Sequence, residues 1–455
     1  MKNMTLDVIA KACGGVFHGL EEQKAATIRG ITIDSRKIEE GFLFVALRGE
    51  RVDGHSFVAG AYEKGAKACL VEDAPVQAEG PYIVVESCTQ ALKDIAEYYR
   101  SILHIKVVGI TGSVGKTSTK EMIASVLEQK YSVLKTQGNF NNEIGVPLTI
   151  FSIKEEHEVA VLEMGISDFG EMHRLSKMAR PDICVITNIG QCHLENLKSR
   201  DGILQAKSEI FDFAKESCTA VLNGDDDKLI TLKGRDGIHS QFFGMDDSFD
   251  IHAENVVDHG LEGITCDICY GKERVNVWIP IPGTHMVYNA LAGAMVGLQL
   301  GLTKEEIKAG VEALKPTGGR NNILQLNGMT VIDDCYNANP VSMRSSLDVL
   351  AKAEGRKVAI LGDMGELGAD ELALHYGVGE YAAQKNIDVF VCVGTLSEEM
   401  KKGAESVRDS ETQILYCKTK EELLQGLDGI VKDGDTVLVK ASHFMQFDKI
   451  VEAFR

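Results

Sequence analysis

The sequence is short of positive charge. Over 455 residues, 48 Lys and Arg stand against 67 Asp and Glu, which gives a formal net charge of -19. Nonspecific binding to nucleic acid needs a basic surface, because the phosphates dominate its affinity. We therefore expect no nucleic-acid partner. The charge leaves the substrate open, since an acidic protein can still hold basic pockets. The length is sufficient for about three domains.

Long apolar runs are also missing from the sequence. No run approaches the roughly 18 residues of a membrane-spanning helix. Residues 1–15 contain no apolar core of signal-peptide length, and the chain shows neither internal repeats nor a low-complexity tail. We therefore expect a soluble, cytoplasmic protein without a membrane span, and a monomer.

Paired cysteine motifs are scarce. The 11 cysteines are scattered, and most of them, such as Cys184 and Cys392, lie in apolar runs, which indicates buried reduced thiols. One C-x-x-C, Cys266 with Cys269, falls in a predicted strand, where positions three apart point to opposite faces. Because no second pair follows, these cysteines predict no zinc site.

The sequence does contain a glycine-rich turn between a predicted strand and a predicted helix. The apolar run 105–110 leads into Thr111-Gly112-Ser113-Val114-Gly115-Lys116-Thr117-Ser118, and an amphipathic segment, 116–130, follows. Glycines let a backbone approach phosphates, and a new helix points its free N–H groups at the anion. Lys116 would then meet the terminal phosphates of ATP or GTP, and the Thr117 hydroxyl would ligate Mg²⁺. Ile110 replaces the first glycine of the usual motif, so a chance match is the alternative.

Polar residues stand at the ends of the next predicted strands. Glu163 ends one apolar run, where a carboxylate either holds Mg²⁺ beside the loop or faces solvent. His193 follows the next run, where a metal or phosphate role competes with that of an ordinary surface histidine. Asn139, Asn141 and Asn142 crowd one turn, either as turn formers or as ligand contacts.

The pattern of strands and helices divides the chain into three α/β domains. Residues 1–103 form a module ahead of the phosphate loop. Residues 104–317 alternate strand and helix, which predicts a mostly parallel sheet with antiparallel edge strands over 241–281. Residues 318–455 restart with five short strands and predict a Rossmann-like, doubly wound domain. Its glycine-rich turn, 362–368, does not fit a dinucleotide site, so NAD is not expected.

Taken together, these motifs resemble the Mur ligase family over the whole chain. The phosphate loop, Glu163, His193 and two runs in the last domain, 334–340 and 361–368, carry the resemblance. It implies an ATP-dependent ligase of peptidoglycan precursor synthesis, with an N-terminal UDP-binding domain, a central ATPase domain and a C-terminal domain for the amine substrate. The two runs favour the step that joins D-Ala-D-Ala to UDP-N-acetylmuramoyl-tripeptide through an acyl phosphate.

The resemblance also gives roles to single residues. Sequence physics alone singles out nothing about Lys207, in the helical run 203–213, but the resemblance implies a carbamate there that holds a second Mg²⁺ with His193. The implied catalytic residues are Lys116, Glu163, His193 and Lys207, and the metal ligands are Thr117, Glu163, His193 and carbamylated Lys207. The implied ATP contacts are residues 111–118, Asn289 at the adenine, Arg320 at a phosphate, and Asp334 and Tyr336 at the ribose. The implied substrate contacts are Asp34, Ser35, Arg36, Arg48, Asp53, His55, Asn139, Asn141, Asn142, Asn337 and Asn339.

One turn departs from the family pattern. Where the family usually has Lys-Gly-Ser-Arg, this chain has Lys440-Ala441-Ser442-His443. A histidine cannot give the bidentate grip of a guanidinium, so anion affinity or amine specificity differs, unless the change is a conservative one in a noncatalytic turn.

Other functions remain open at this point. A sister ligase that adds the third peptide residue is the nearest alternative, although its Asp-Asn-Pro-Arg element is absent. Folylpolyglutamate synthetases share the ATPase core but lack the first module. A nucleotide-hydrolysing switch predicts turnover without an amine, and an inactive binding protein predicts no ATP turnover.

Overall fold

The computed structural model describes residues 1–50, 52–75 and 79–455. Over these residues the chain forms three sheets, mostly parallel, with helices packed on them. This confirms the predicted α/β fold class. No helix in this part of the chain combines the length and the apolar character of a membrane span.

The first sheet has the order β1-β5-β4-β3-β2 and is parallel except for the pair β1 and β5. Its strands are β1 (Val16–His18), β2 (Gly30–Thr32), β3 (Phe42–Val45), β4 (Ala68–Val71) and β5 (Tyr82–Val84). The helices of this region are α1 (Leu6–Ala12), α2 (Val58–Glu63) and α3 (Cys88–Ser101).

Helix α3 joins this first unit to the central one. The Ser87 hydroxyl caps its start by accepting a hydrogen bond from the Gln90 N–H. Near its end, the Tyr99 hydroxyl donates to the Ile153 carbonyl at 2.8 Å, and the buried Arg100 Nε donates to the Ala179 carbonyl at 2.8 Å. One hydrophobic core runs through both units, so the N-terminal module is packed firmly on the central domain.

The central sheet has the order β14-β13-β12-β11-β10-β9-β6-β8-β7. Its strands are β6 (Lys106–Thr111), β7 (Val133–Lys135), β8 (Val159–Glu163), β9 (Ile183–Ile186), β10 (Thr219–Asn223), β11 (His239–Gly244), β12 (Ile251–Asp258), β13 (Ile264–Tyr270) and β14 (Glu273–Ile279). The helices are α4 (Lys116–Leu127), α5 (Gly145–Phe151), α6 (Glu171–Ala179), α7 (Leu194–Leu197), α8 (Arg200–Ser208), α9 (His285–Gln299) and α10 (Lys304–Glu312). Helices α4, α9 and α10 cover one face, and α5, α6 and α8 cover the other.

The prediction for residues 241–281 was partly wrong. Strands β12, β13 and β14 are antiparallel at the sheet edge, as expected. Strand β11, however, pairs parallel with β10 along its length and extends the parallel part of the sheet. The first half of this strand, residues 239–241, is polar and not fully buried, so it lacks the continuous apolar run that is typical of a buried parallel strand.

The third sheet has the order β15-β16-β20-β17-β18-β19. Its strands are β15 (Asn322–Leu326), β16 (Met329–Asp333), β17 (Lys357–Gly362), β18 (Val389–Val393), β19 (Gln413–Cys417) and β20 (Thr436–Lys440). The helices are α11 (Pro340–Ala351), α12 (Glu371–Ala383), α13 (Ser397–Ser406), α14 (Lys420–Ile430) and α15 (Asp448–Ala453).

This domain is doubly wound, because separate cores lie on the two faces of its sheet. Helices α11, α12 and α13 pack on one face, and α14 and α15 pack on the other. The five predicted strands are present. The prediction missed β15, which forms a hairpin with β16 as the antiparallel edge strand. The domain boundaries after residues 103 and 317 stay predictions.

Candidate active site

The predicted strand, glycine turn and helix of the phosphate loop are all present. Strand β6 ends at Thr111, and α4 begins at Lys116 directly after Gly115, whose φ of 80° is left-handed. At Gly112, with φ 149°, an added Cβ would lie 1.9 Å from the Thr187 Oγ1. Both glycines are therefore required, one for backbone conformation and one for close packing.

Neighbouring segments hold the loop in shape. The Asn188 Oδ1 accepts from the Val114 N–H at 3.0 Å, and the Thr187 hydroxyl donates to the Val114 carbonyl at 2.6 Å. The Lys116 Nζ folds back and donates to the Gly112 carbonyl at 2.9 Å. Residues at the end of β9 therefore hold the loop in place, and the Lys116 amine is hydrogen-bonded to the loop backbone.

Glu163 lies beside the loop, at the end of the adjacent strand β8. Its Oε2 accepts from the Thr117 hydroxyl at 2.8 Å, and its Oε1 accepts from the Asn141 Nδ2 at 2.8 Å. The Glu163 backbone N–H donates to the Thr136 Oγ1 at 3.0 Å. The carboxylate is buried and oriented by both neighbours. Asn141, which the resemblance gives as a substrate contact, positions this carboxylate.

Lys207 is buried near the same edge of the sheet, in α8. Only 1% of its surface is exposed. The pKa of its amine is lowered from 10.5 to about 8, mainly by burial; Cys192 opposes the shift and the positive charge of the nearby Lys116 adds to it. At pH 7, such a pKa leaves about one amine in ten uncharged, against about one in 3000 at the ordinary value. An uncharged buried amine can react with CO₂.

His193 joins the central domain to the C-terminal domain. It precedes α7 in a left-handed conformation, with φ 52°, and its Nδ1 lies 2.9 Å from the Glu366 Oε2. The hydrogen-bonding contact with His193 lowers the pKa of the Glu366 carboxyl, and the positive charge of Lys116 contributes to the shift. Glu366 is absent from the residues that sequence reasoning singled out, although it falls in the run 361–368.

Two side chains, Arg320 and His443, lie against the Tyr336 ring on the C-terminal side. The Arg320 guanidinium lies 4.0 Å from the centre of the Tyr336 ring, and the His443 ring lies 5.6 Å from it. The departure at position 443 therefore places a ring against Tyr336. Nearby, Asn289 on α9 is buried, and its Oδ1 accepts from the Thr119 hydroxyl at 2.7 Å.

Asp334 is held by a network that sequence reasoning did not find. The buried Lys440 Nζ donates to its Oδ2 at 2.6 Å, the Ser346 hydroxyl donates to the same oxygen at 2.5 Å, and the Asn321 N–H donates to Oδ1 at 3.2 Å. Lys440 also donates to the Asn337 carbonyl at 3.1 Å. The signal for Lys440 was available, since a lysine that ends a buried strand needs an anionic partner.

Two of the predicted asparagines have local structural roles. The Asn142 Oδ1 accepts from the Gly145 N–H at 2.9 Å, at the start of α5. The Asn339 Oδ1 accepts from the Ser342 N–H at 2.9 Å and caps α11. Both residues also line the cavity described next, so a ligand contact stays a prediction for each.

One cavity of about 1060 Å³ brings the central and C-terminal domains together. The carboxyl ends of β6, β8 and β9 face those of β16, β17 and β20 across it. The predicted residues on its wall are Ser113, Val114, Gly115, Lys116, Thr117, Ser118, Asn139, Asn141, Asn142, Glu163, His193, Asn289, Arg320, Asp334, Tyr336, Asn337 and Asn339. Thr111, Gly112 and Lys207 lie behind that wall.

The residues predicted in the N-terminal module lie outside this cavity. Arg36 makes a bidentate pair with Asp34 at 2.8 and 2.9 Å, which lowers the pKa of that carboxyl to about 2, and the Ser35 carbonyl accepts from Lys64. Arg48 pairs with Asp73 and lies 3.6 Å from Asp53, whose Oδ1 is 2.7 Å from the His55 Nδ1. Arg51, between Arg48 and Asp53 in the sequence, lies outside the described residues.

Three protein-family models match most of the chain. The model of the Mur ligase family catalytic domain matches residues 27–100, that of the Mur ligase middle domain matches residues 110–297, and that of the Mur ligase glutamate ligase domain matches residues 319–443.

The chain belongs to the Mur ligase family.

Full-length relatives narrow the comparison within the Mur ligases. A UDP-N-acetylmuramoyl-tripeptide–D-alanyl-D-alanine ligase of Bacillus subtilis (strain 168) is 38% identical over 457 residues, with 99% of this chain and 98% of the relative covered. The ligase of the same name from Escherichia coli (strain K12) is 35% identical over 460 residues, with 100% and 99% covered.

Solved Mur ligase structures agree with this fold. MurF from Acinetobacter baumannii superposes with a TM-score of 0.89 at 32% identity, covering 99% of this chain and 98% of its own. MurF from Thermotoga maritima in complex with ADP gives a TM-score of 0.82 at 30% identity, covering 94% and 97%. The family resemblance found in the sequence is therefore confirmed, together with the three-domain architecture.

Proposed function

We propose that this chain is an ATP-dependent ligase that joins D-Ala-D-Ala to UDP-N-acetylmuramoyl-tripeptide in peptidoglycan precursor synthesis. One observation carries the proposal: the phosphate loop and the C-terminal domain share one cavity, large enough for a nucleotide and the reacting ends of two further substrates. The Bacillus subtilis relative, which bears the name of this activity, supports it over the full chain.

ATP lies along the shared cavity in this proposal. The loop N–H groups and Lys116 take the phosphates, because the start of α4 offers unpaired N–H groups. Arg320 contacts a phosphate, and its stacking on Tyr336 fixes the direction of its guanidinium. Asn289 meets the adenine, with its amide oriented by Thr119.

The residues beside the loop fit a magnesium ion. Thr117 offers a hydroxyl and Glu163 a carboxylate, and the two oxygens already lie 2.8 Å apart. Oxygen donors of this kind suit Mg²⁺. Lys207, as a carbamate, and His193 would hold a second ion, and the lowered pKa of the buried amine supports carbamylation. When bound, these ions neutralise phosphate charge during phosphoryl transfer.

The reaction follows from the weakness of a carboxylate as an electrophile. An oxygen of the terminal tripeptide carboxylate attacks the γ-phosphorus of ATP, which gives an acyl phosphate and ADP. The ammonium of D-Ala-D-Ala loses one proton to solvent, and the uncharged amine then attacks the acyl carbon. The C–N bond forms, phosphate leaves with the C–O bond electrons, and the second proton lost by the nitrogen passes to that phosphate. The chain's part is to hold the three substrates in line. No Ser or Cys nucleophile takes part.

The N-terminal module binds the UDP part of the substrate. Its two clusters, around Asp34 with Arg36 and around Arg48 with Asp53 and His55, hold charged groups in fixed positions.

The nearest alternative function is the addition of the third peptide residue by the same chemistry. It predicts a different carboxylate substrate and a different amine substrate. A cytoplasmic location and a monomeric state stay predictions.

A phosphate-release assay tests the proposal. We expect release with ATP only when both UDP-N-acetylmuramoyl-tripeptide and D-Ala-D-Ala are present, and its loss in Lys116→Ala. Release without any amine would favour a nucleotide switch, and binding of the UDP substrate without release would favour an inactive binding protein. Release with a dipeptide substrate and a free diamino acid would favour the sister ligase.

A further inference from the structure

The run 361–368 places a strained and well-supported acidic residue at the cavity. Glu366 follows β17 with a φ of 61°, a left-handed conformation that a non-glycine residue adopts at a cost of about 1 kcal/mol. The residues before it are fixed, because the Gly365 N–H donates to the Ser442 Oγ at 2.9 Å and the Met364 N–H donates to the buried His375 Nε2 at 2.9 Å. The loop therefore presents Glu366 in a defined place.

The side chain of Glu366 reaches from the C-terminal domain toward the central one. It lines the cavity, 69% of the side chain is exposed, and its Oε2 lies 2.9 Å from the His193 Nδ1. A largely exposed carboxylate with one oxygen in a single contact has room for a further cationic partner.

The other carboxylates on the cavity wall are already bound by groups of the chain itself. Glu163 accepts from Thr117 and Asn141, and Asp334 accepts from Lys440, Ser346 and Asn321. The remaining ones, with their donors, are Glu121 with Lys120 and Lys135, Glu143 with Lys93 and Arg174, Asp226 with the N–H groups of 189, 228 and 229, and Glu171 with the N–H groups of 167 and 168.

We propose that Glu366 receives the ammonium group of the incoming amine substrate and so sets where its nitrogen stands before attack. The inference rests on the proposed ligase function. Of the three substrates only the dipeptide brings its reactive nitrogen as a cation, and a cation in a partly closed cavity needs an opposite charge. The C-terminal domain thereby selects an amine, while the central domain activates the carboxylate.

The two half-reactions separate this role from a structural one. Hydroxylamine, which is uncharged at pH 7, traps an acyl phosphate as a hydroxamate and needs no ammonium site. For Glu366→Gln we expect hydroxamate formation at the wild-type rate, an unchanged KM for ATP, and a KM for D-Ala-D-Ala about 100-fold higher. Glu371→Gln removes the same charge five residues away, outside the large cavity, and is expected to leave every rate unchanged.

The outcomes discriminate between the explanations. Equal losses of hydroxamate and amide in Glu366→Gln would mean that the residue serves only the contact with His193, and the proposal would be wrong. A Glu366→Gln variant with the wild-type KM for D-Ala-D-Ala would also overturn it. If the wild-type protein forms neither hydroxamate nor amide, the ligase function itself fails. As a binding readout, N-acetylated D-Ala-D-Ala, which has no ammonium group, is used as a competitive inhibitor against D-Ala-D-Ala. We expect it to bind the wild type much more weakly than D-Ala-D-Ala does, and to bind Glu366→Gln about as well as D-Ala-D-Ala does.

Discussion

The Thr117 hydroxyl donates a 2.8 Å hydrogen bond to the Glu163 carboxylate. Thr117 lies in the first turn of the helix after the phosphate loop and Glu163 ends the neighbouring strand, so the contact joins two parallel βα units at the carboxyl edge of the sheet. This hydrogen bond holds together the hydroxyl oxygen of Thr117 and a carboxylate oxygen of Glu163, which we propose as the ligands of Mg²⁺. In the proposed mechanism this pair is the structural centre of phosphoryl transfer.

Removal of the Glu163 charge is expected to lower kcat sharply. Glu163→Gln keeps the shape and the Thr117 contact but loses the anion, so we expect kcat to fall about 100-fold and the Mg²⁺ concentration for half-maximal rate to rise. Asn141→Ala removes one hydrogen bond to the Glu163 carboxylate, and we expect it to lower kcat about 10-fold. Steady-state kinetics over a magnesium titration measure both. Equal Mg²⁺ dependence in Glu163→Gln and wild type would contradict this assignment.

Lys207 is expected to act as an anion and not as a cation. Lys207→Ala leaves a space where a short carboxylic acid can supply the missing charge, so we expect an activity loss of at least about 100-fold with partial recovery in acetate or propionate. Lys207→Arg fills the space with a permanent cation, and we expect the loss without recovery. Full activity in Lys207→Ala would end the carbamate proposal.

The buried Lys207 amine is also expected to make stability depend on pH. In the absence of CO₂, the unfolded chain binds this proton up to pH 10.5, whereas the folded chain releases it above about 8. The free energy of unfolding therefore rises with pH across this window, by about 3 kcal/mol for this group, and the full cost is present below it. Lys207→Met is expected to lack that rise and to be more stable at pH 7.

Denaturant unfolding at pH 7, 8 and 10 checks this expectation. The exposed Lys233 gives a matched control, because Lys233→Met removes the same charge from the surface. Its free energy of unfolding is expected to rise with pH as steeply as that of the wild type. If the free energy of unfolding depended on pH in the same way for Lys207→Met and the wild type, the Lys207 amine would be charged in the folded protein.

The phosphate loop could be predicted because its signals are local. A strand, two glycines with special backbone demands and a helix start stand within about fifteen positions, and the structure contains each. The strands β6, β8 and β9 beside the phosphate loop and the five parallel strands of the last domain were found for the same reason, since buried runs bounded by polar residues need no long-range information. The short parallel strands β4 and β7 were missed.

The rest of the site depends on contacts that no local pattern reveals. The burial of Lys207 and the lowered pKa of its amine arise from tertiary packing, so its sequence looks like that of a surface helix. Glu366 meets His193 from another domain, 173 positions away by their numbers. Strand β15 was missed because it is only half-buried and begins in a segment of turns.

The ring of His443 is expected to support ATP binding through Tyr336. The two rings lie 5.6 Å apart, a pairing that contributes about 0.5–1.5 kcal/mol. We expect His443→Ala to raise the KM for ATP about 3- to 10-fold with little change in kcat. Phe444→Ala removes the neighbouring ring, which is 63% exposed, and is expected to change neither constant. An unaltered KM in His443→Ala would identify the turn as a noncatalytic variation.

The most direct test of the account follows oxygen from substrate to product. The tripeptide substrate is labelled with oxygen-18 in its terminal carboxylate and turned over with ATP and D-Ala-D-Ala, and the phosphate is analysed by mass spectrometry. Activation through an acyl phosphate predicts one labelled oxygen in each phosphate and one in each new amide. Phosphate without label would contradict it, because the ATP would then have been hydrolysed by water.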